Sequence, residues 1–220
     1  MSDSTILKKD LFGEIRLSSH SGEAVVVRDS AAAATGLRWL ARRLLHREAN
    51  ALAMLEDIEG FAQVVRLDRD CLMRSFLDGK PMQRGKPTDP AYFKDAARLL
   101  RKMHRAGIVH NDLAKEPNFL VRPNGKPAIV DFQLAWASPN RSKLFRLAAR
   151  EDLRHLLKHK RTYCPQQLTC RERTILATPG FVALAWSKTF KPVYQFVTRR
   201  ILGWADREGA GNRGDRGERP

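Results

Sequence analysis

The sequence is poor in cysteine and has no long run of apolar residues. Its 220 residues include three cysteines, Cys71, Cys164 and Cys170, a number too small and odd for a disulfide framework, and their spacing does not suggest zinc. No apolar run reaches the ~18 residues that a membrane-spanning helix needs. The first residues also lack the charged and apolar regions of a signal peptide. These absences predict a soluble or peripheral protein of a reducing cytoplasm.

Acidic residues are scarce relative to basic ones. The chain has 24 Asp and Glu against 40 Lys and Arg, a formal net charge of +16. The excess is concentrated in residues 141–204, which hold fourteen basic and three acidic side chains. Such a charge attracts phosphate-rich partners, including anionic lipid, lipopolysaccharide and nucleic acid, but a solvated basic face explains it equally well. No nucleic-acid motif accompanies it.

Residues 108–133 carry the most informative pattern, in which two short apolar runs flank a polar loop and a later run ends in an acid. Asn124-Gly125 supplies the positive φ values of a tight hairpin. This hairpin would hold Asp112, Asn118 and Asp131 close together. Mg²⁺ prefers oxygen ligands and commonly takes one or two carboxylates plus substrate phosphates. A further carboxylate beside the metal could orient a hydroxyl or accept its proton.

This stretch resembles the catalytic core of protein-kinase-like phosphotransferases. His110-Asn111-Asp112 is similar to the His-x-Asp catalytic loop, Asn118 to its metal-binding Asn, and Asp131-Phe132-Gln133 to Asp-Phe-Gly. The similarity extends roughly over residues 5–165 and is greatest to the small bacterial kinases that resemble RIO and lipopolysaccharide-core (Kdo-type) kinases. These motifs are specific in combination, because their order is hard to reach by chance. A surface hairpin with solvated acids is the weaker interpretation.

The resemblance implies an α+β fold, a trimmed version of the bilobal protein-kinase architecture. Residues 1–79 would form a small β-rich N-lobe and hinge, with strands over 11–17 and 24–28. Residues 80–204 would form a mainly helical C-lobe that carries the catalytic loop and the metal-binding hairpin. The last segment, 205–220, is rich in glycine and balanced charge, which predicts disorder.

Two charged residues of the N-lobe fit a phosphate site. Arg28 ends an apolar strand at the position where kinases carry a lysine, and Gly13 stands alone where most have a glycine-rich loop. Residues 36–58 have the apolar periodicity of one amphipathic helix, and Glu48 lies in the middle of its apolar stripe. A buried carboxylate is costly unless it is paired. The resemblance implies that Glu48 pairs with Arg28 and fixes it for phosphate binding. The alternative is that Lys8 or Lys9 supplies the phosphate contact, because arginine is not a neutral replacement for lysine.

An adenine site is also implied by the resemblance. The strand at Cys71–Met73 would lead into a connector whose backbone binds the base, with Met73, Phe76 and Leu120 facing it. Taken singly, each of these side chains is more typical of an ordinary core.

The catalytic loop then receives its roles from the same resemblance. Asp112 would position or deprotonate the acceptor hydroxyl, Asn118 and Asp131 would bind Mg²⁺, and Lys115 would stabilise the transferred phosphate. Asn118 follows Asp112 by six residues instead of the common five, which predicts a one-residue bulge at 114–117. Gln133 replaces glycine and should stiffen the segment after Asp131.

Two further features support the loop. His110 is expected to brace it by hydrogen bonds. Asp152, in a helix predicted over 142–160, resembles the acid that anchors the loop backbone in kinases; a solvated surface acid is the alternative. Aromatic and basic residues alternate over 170–204, a composition that suits a membrane interface or a stacked ligand and equally a small helical subdomain.

The sequence therefore predicts a kinase that uses ATP and Mg²⁺ and transfers phosphate to a hydroxyl. Its anionic acceptor would be a protein Ser or Thr or a sugar of the lipopolysaccharide core, with possible peripheral contact to the inner face of the membrane. The alternative is a non-catalytic, kinase-like nucleotide-binding or interaction protein. A nucleic-acid-binding module would rest on charge alone.

Overall fold

A five-stranded antiparallel sheet forms the first part of the structure, a computed structural model that describes residues 4–178. Its strands are β1 (Thr5–Asp10), β2 (Gly13–His20), β3 (Glu23–Asp29), β4 (Val64–Leu67) and β5 (Cys71–Ser75), in the spatial order β1-β2-β3-β5-β4. The aromatic residues beyond 178 and the tail at 205–220, for which we made predictions, lie outside the described residues.

Two tight turns connect the first three strands. Ser21-Gly22 has φ values of 52° and 85°, as a two-residue hairpin turn of type I′ requires. Gly13 has a φ of 123°, and a Cβ there would collide with the carbonyl oxygen of Asp29. The predicted strand at 11–17 therefore begins too early, because Leu11-Phe12 forms the turn between β1 and β2.

One long helix, α1 (Arg38–Ala53), covers a face of this sheet. It is shorter than the predicted 36–58. Its buried face follows the helical spacing of Ala41, Leu45, Glu48 and Leu52, so the acid does lie within the apolar stripe, as the sequence indicated.

Helices dominate the second part. They are α2 (Met82–Gly85), α3 (Pro90–Arg105), α4 (Lys143–Tyr163) and α5 (Cys170–Ala177). Asp89 caps α3 by accepting from the backbone N–H of Ala91 at 2.8 Å, with Pro90 in the first turn. Ser142 caps α4 in the same manner.

Two small sheets lie among these helices. One pairs β7 (Ile108–Val109) with β10 (Trp136–Ala137); the other has β6 (Lys80–Pro81), β8 (Phe119–Val121) and β9 (Pro127–Ile129) in the order β6-β8-β9. The predicted Asn124-Gly125 turn connects β8 to β9, with a φ of 75° at Gly125. Short 3-10 turns occupy Glu116–Asn118 and Phe132–Leu134.

The main core lies under these small sheets. Its fully buried side chains include Leu100, Met103, Phe119, Ile129 and Phe132. Burial of each such side chain contributes about 1.5–3 kcal/mol. Because the flanking strands and Phe132 are fixed in this core, the polar loop between them has rigid ends.

The α+β class predicted from the sequence is confirmed, with a sheet first and helices after it. The residues up to Thr178 form one compact unit, and the division into lobes at residue 79 stays a prediction. No helix within residues 4–178 is long and apolar enough to cross a membrane.

Candidate active site

The buried acid Glu48 is paired with a cation from the sheet. Glu48 Oε2 lies 3.2 Å from a guanidinium nitrogen of Arg28, and the two side chains are 1% and 8% exposed. The predicted ion pair is therefore present. Glu48 belongs to α1 and Arg28 to β3, and moving these elements apart would leave an uncompensated buried charge. The ion pair therefore fixes the position of α1 against β3.

A second arginine, which sequence reasoning missed, binds the other oxygen of the same carboxylate. Arg74 Nε lies 3.2 Å from Glu48 Oε1. Strand pairing explains the arrangement: Val26 lies opposite Arg74 and Arg28 opposite Leu72, so both arginines point to the face covered by α1. The strand predicted at Cys71–Met73 extends to Ser75 in the structure, so Arg74 belongs to β5 and not to the connector. Its alternation with Leu72 along the strand is the signal in the sequence that indicates its direction. Two cations around one carboxylate leave this cluster positively charged.

The backbone of the polar loop is anchored by Asp152 of α4. Its carboxylate is 1% exposed and accepts from the backbone N–H groups of His110 at 2.8 Å and Asn111 at 3.1 Å. His104 Nε2 of α3 lies 3.1 Å from the same carboxylate. The predicted anchoring is confirmed, and the alternative of a solvated surface acid is wrong. It also holds Asn111 in the left-handed region, at a φ of 63°.

His110 ties this loop to the strand that leads to Asp131. Its Nδ1 accepts from the backbone N–H of Asp112 at 3.3 Å, so Nε2 carries the proton and donates to the carbonyl of Val130 at 3.0 Å. The imidazole ring packs 4.7 Å from the ring of Phe132. His110 is thus a bracing residue, as predicted.

Asp112, Lys115 and Asn118 form one polar cluster. The amide nitrogen of Asn118 donates to the backbone carbonyl of Asp112 at 2.9 Å and to its Oδ2 at 3.2 Å. Lys115 Nζ lies 2.9 Å from the same Oδ2. The 3-10 turn at Glu116–Asn118 takes up the extra residue that the spacing revealed. Since its nitrogen is engaged, the carbonyl oxygen Oδ1 is the atom with which Asn118 can bind a cation.

Asp131 lies at the same end of the β8-β9 hairpin as Asn118. The backbone N–H of Val130 donates to the carbonyl of Asn118 at 3.0 Å. Asp131 itself has a left-handed φ of 69°, and its Oδ1 accepts from Gln133 Nε2 at 2.7 Å. Gln133, which we expected to stiffen this segment, thus holds the carboxylate directly.

A second set of missed residues supports the loop from α4. His159 Nε2 donates to the carbonyl of Leu113 at 2.9 Å, and Tyr163 donates its hydroxyl to Glu116 at 2.7 Å. Burial lowers the pKa of His159, consistent with a neutral ring. Burial, together with the bond to Glu116, raises the pKa of Tyr163. Apolar periodicity alone does not reveal such partners.

The residues expected around adenine come from different elements, with Met73 in β5, Phe76 directly after it and Leu120 in β8. Met73 is half-buried on the sheet face opposite Arg74, and Phe76 is 39% exposed. Leu120 is buried, and its carbonyl accepts from the Tyr92 hydroxyl at 3.1 Å. Their role in binding the base stays a prediction.

The chain matches one family model, described as RIO domain, over residues 25–172. This range covers more than half of the chain, from β3 into α5, and contains every candidate site residue. None of the curated proteins compared with the chain matches it.

Proposed function

The chain belongs to the RIO domain family of atypical, protein-kinase-like ATP-binding phosphotransferases, and we propose that it transfers the γ-phosphate of ATP to a hydroxyl in a Mg²⁺-dependent reaction. The observation that carries this proposal is the geometry around the polar loop. One acid, Asp112, is held beside an amide, and a second acid, Asp131, lies at the same end of the hairpin.

The donor set fits Mg²⁺. Asn118 Oδ1 and the carboxylate of Asp131 are hard oxygen donors, and Mg²⁺ bound at such a pair completes its coordination with water and phosphate oxygens. The metal ion would neutralise charge on the phosphates. Gln133 and the backbone bond between Asn118 and Val130 keep the two donors in position.

Asp112 would serve the acceptor hydroxyl. As the acceptor oxygen bonds to the γ-phosphorus, the bond from that phosphorus to the bridging oxygen of ADP breaks, and the hydroxyl proton passes to the Asp112 carboxylate. Lys115 and the Asn118 amide hold Oδ2 of this carboxylate, so Oδ1 would face the hydroxyl. Lys115 would also stabilise the transferred phosphate.

Arg28, in β3 of the first sheet, would contact the nucleotide phosphates. Glu48 fixes Arg28, and the excess positive charge of the cluster with Arg74 favours an anionic ligand. Arginine binds phosphate bidentately, although its geometry differs from that of lysine. Met73, Phe76 and Leu120 would surround the adenine.

For the acceptor, we favour a sugar of the lipopolysaccharide core over a protein Ser or Thr. Only residues 132–142 separate Asp131 from α4, which leaves little chain for a broad peptide groove. The basic, aromatic sequence of 170–204 suits an anionic glycolipid and a peripheral membrane contact.

A non-catalytic, nucleotide-binding protein is the second candidate. It is favoured by one observation: Arg28 replaces lysine and is already engaged by a buried acid. Against it, the chain retains Asp112, Asn118 and Asp131, three oxygen-bearing residues that a non-catalytic scaffold has no chemical need to keep.

The deciding experiment is thermal unfolding with ATP, with and without Mg²⁺, followed by phosphate transfer to lipopolysaccharide and protein fractions. A kinase should show Mg²⁺-dependent stabilisation that Asp131→Asn abolishes, and transfer to one fraction. Stabilisation without transfer to either fraction would favour the non-catalytic candidate, and no response to ATP would contradict both.

A further inference from the structure

A basic cleft lies between the outer face of α1 and strand β10. It has a volume of about 350 Å³, and its polar and aromatic lining consists of Arg43, His46, Arg47, Asn50 and Trp136. The residues from α1 recur at the three- and four-residue spacing of one helical face. Glu48 lies on the buried face of α1, whereas Arg43 and Arg47 of the cleft are exposed.

The charge of this cleft is one-sided. Among the described residues that line it there is no acid, and within residues 4–178 neither Arg43 nor Arg47 has an ion-pair partner. The adjacent Arg42, by contrast, is paired with Asp70 at 2.8 Å. His46 is held in place, since its Nε2 lies 3.1 Å from the carbonyl of Arg69. Two exposed guanidinium groups thus face the same small volume without a neutralising partner.

The shape of the cleft suits a phosphate. A guanidinium group binds phosphate through two parallel hydrogen bonds, and two such groups one helical turn apart can hold the same anion. The Asn50 amide adds a neutral donor. Trp136, 38% exposed and packed at its other side against Phe145, forms one wall.

We propose that this cleft is a second anion site that binds a phosphate-bearing ligand between α1 and β10. Arg43 and Arg47 bind the phosphate, and Trp136 closes the site beside it. The phosphate can belong to a soluble ligand or to a lipid headgroup. Trp39, one turn before Arg43 and 63% exposed, lies where it would reach the membrane in the second case.

The test uses two probes on the whole chain. Pyrophosphate without Mg²⁺ is titrated while the indole N–H signal of Trp136 is followed by NMR, with Trp136→Phe to assign it among the 4 tryptophans. Trp136 follows Asp131 closely in the chain, so the dependence of the signal on Arg43 and Arg47 distinguishes the cleft from the candidate active site. Sedimentation with phosphatidylglycerol vesicles, against phosphatidylcholine vesicles, tests the lipid source.

The variants are Arg43→Gln and Arg47→Gln, with Arg38→Gln as the matched control. Arg38 is an exposed arginine on the same helix that does not line the cleft. Each cleft variant should weaken binding about tenfold or more, as expected for a lost charge-assisted hydrogen bond, and Arg38→Gln should have little effect. Arg43→Lys should retain part of the binding, and circular dichroism checks that each variant is folded.

If Arg43→Gln and Arg47→Gln weaken pyrophosphate binding but not vesicle binding, the ligand of the cleft is a soluble phosphate compound. If they weaken both, the ligand is a lipid headgroup. The proposal is overturned if neither probe depends on Arg43 and Arg47 more than on Arg38. That result would show a general effect of the basic surface.

Discussion

Two clusters of charge in this protein differ in how fully they are enclosed. Around Glu48, two arginines from neighbouring strands bind both oxygens of a carboxylate that is 1% exposed. Around Asp112 and Asp131, half-buried carboxylates are held by an amide, a lysine and a glutamine. The first acid has no oxygen left for a ligand, whereas the second pair keeps oxygens that a metal ion or a hydroxyl can reach. Enclosure therefore separates an acid that positions another residue from acids that can perform chemistry.

The loop cluster depends on braces that are themselves enclosed. Asp152 anchors the backbone before Asp112, and His110 links it to the strand before Asp131. These contacts are deep in the second part of the fold. Because these contacts fix the backbone, Asp112 and Asp131 can stay accessible while their positions remain fixed.

The largest expected effect is on chemistry, at Asp112. Asp112→Ala should reduce phosphate transfer about 10²–10⁴-fold, the usual contribution of a general base, while ATP affinity stays nearly unchanged. Parallel measurement of transfer and of ATP binding checks this. Asp95→Ala, at an exposed acid paired with Arg98, serves as the control. Equal loss of ATP binding and of phosphate transfer would indicate that Asp112 binds the metal ion and does not act on the acceptor hydroxyl.

The enclosed acid should matter mainly for stability. Glu48→Gln leaves the buried Arg28 and the partly buried Arg74 without a counter-charge, and breaking a buried ion pair typically costs about 3–5 kcal/mol. Urea unfolding measures the free energy. Glu59→Gln is the matched control, because Glu59 also has two cationic partners, Arg122 and Lys126, but is 62% exposed. We expect little change there. Similar losses in the two variants would refute the importance of enclosure.

Gln133 provides a finer test of the loop cluster. Gln133→Ala removes the hydrogen bond to Asp131 Oδ1, and loss of such a supporting contact typically weakens metal binding about 10–100-fold. The measurement is the Mg²⁺ concentration at half-maximal ATP-dependent stabilisation. Gln63→Ala, an exposed glutamine of the sheet region, should leave that concentration unchanged. If it stays unchanged in Gln133→Ala as well, Asp131 is positioned by its backbone alone.

The stability of the protein should also depend on pH, through a partly buried histidine of the second part of the fold. Burial, followed by the charge of Lys158, lowers the pKa of His155 in α4 from 6.5 to about 4. The ring is therefore neutral in the folded protein, and its contribution to stability is complete above pH 6.5 and is lost as the pH falls toward 4. Thermal unfolding across this range should show a smaller loss in His155→Gln than in the parent chain. His20→Gln, at an exposed position in β2, should follow the parent.

Much of the loop could be predicted because its signals are local. Asn124-Gly125 specifies a tight turn between β8 and β9. The order of Asp112, Asn118 and Asp131 is a property of the sequence, so it can be recognised without knowledge of the packing. The buried Glu48 was also evident, since a helix with a regular apolar stripe leaves no other place for a central residue.

Other features depend on contacts that no local pattern encodes. Arg74 reaches Glu48 only because β3 and β5 pair in one register, and a shift by one residue would turn it to the other face. His159 and Leu113 meet across 46 residues, through the packing of α4 against the loop.

By itself, the sequence determined the loop with its three oxygen-bearing residues and the helix that carries a buried acid, and the resemblance of that loop to kinases implied the α+β class. Periodicity and turn chemistry are properties of neighbouring residues, so they can be read along the chain. Only the tertiary structure decided which partners hold each acid, and hence which carboxylate is enclosed and which is accessible. Enclosure depends on every element packed around a side chain, and strand register and helix packing bring those elements together from distant parts of the sequence.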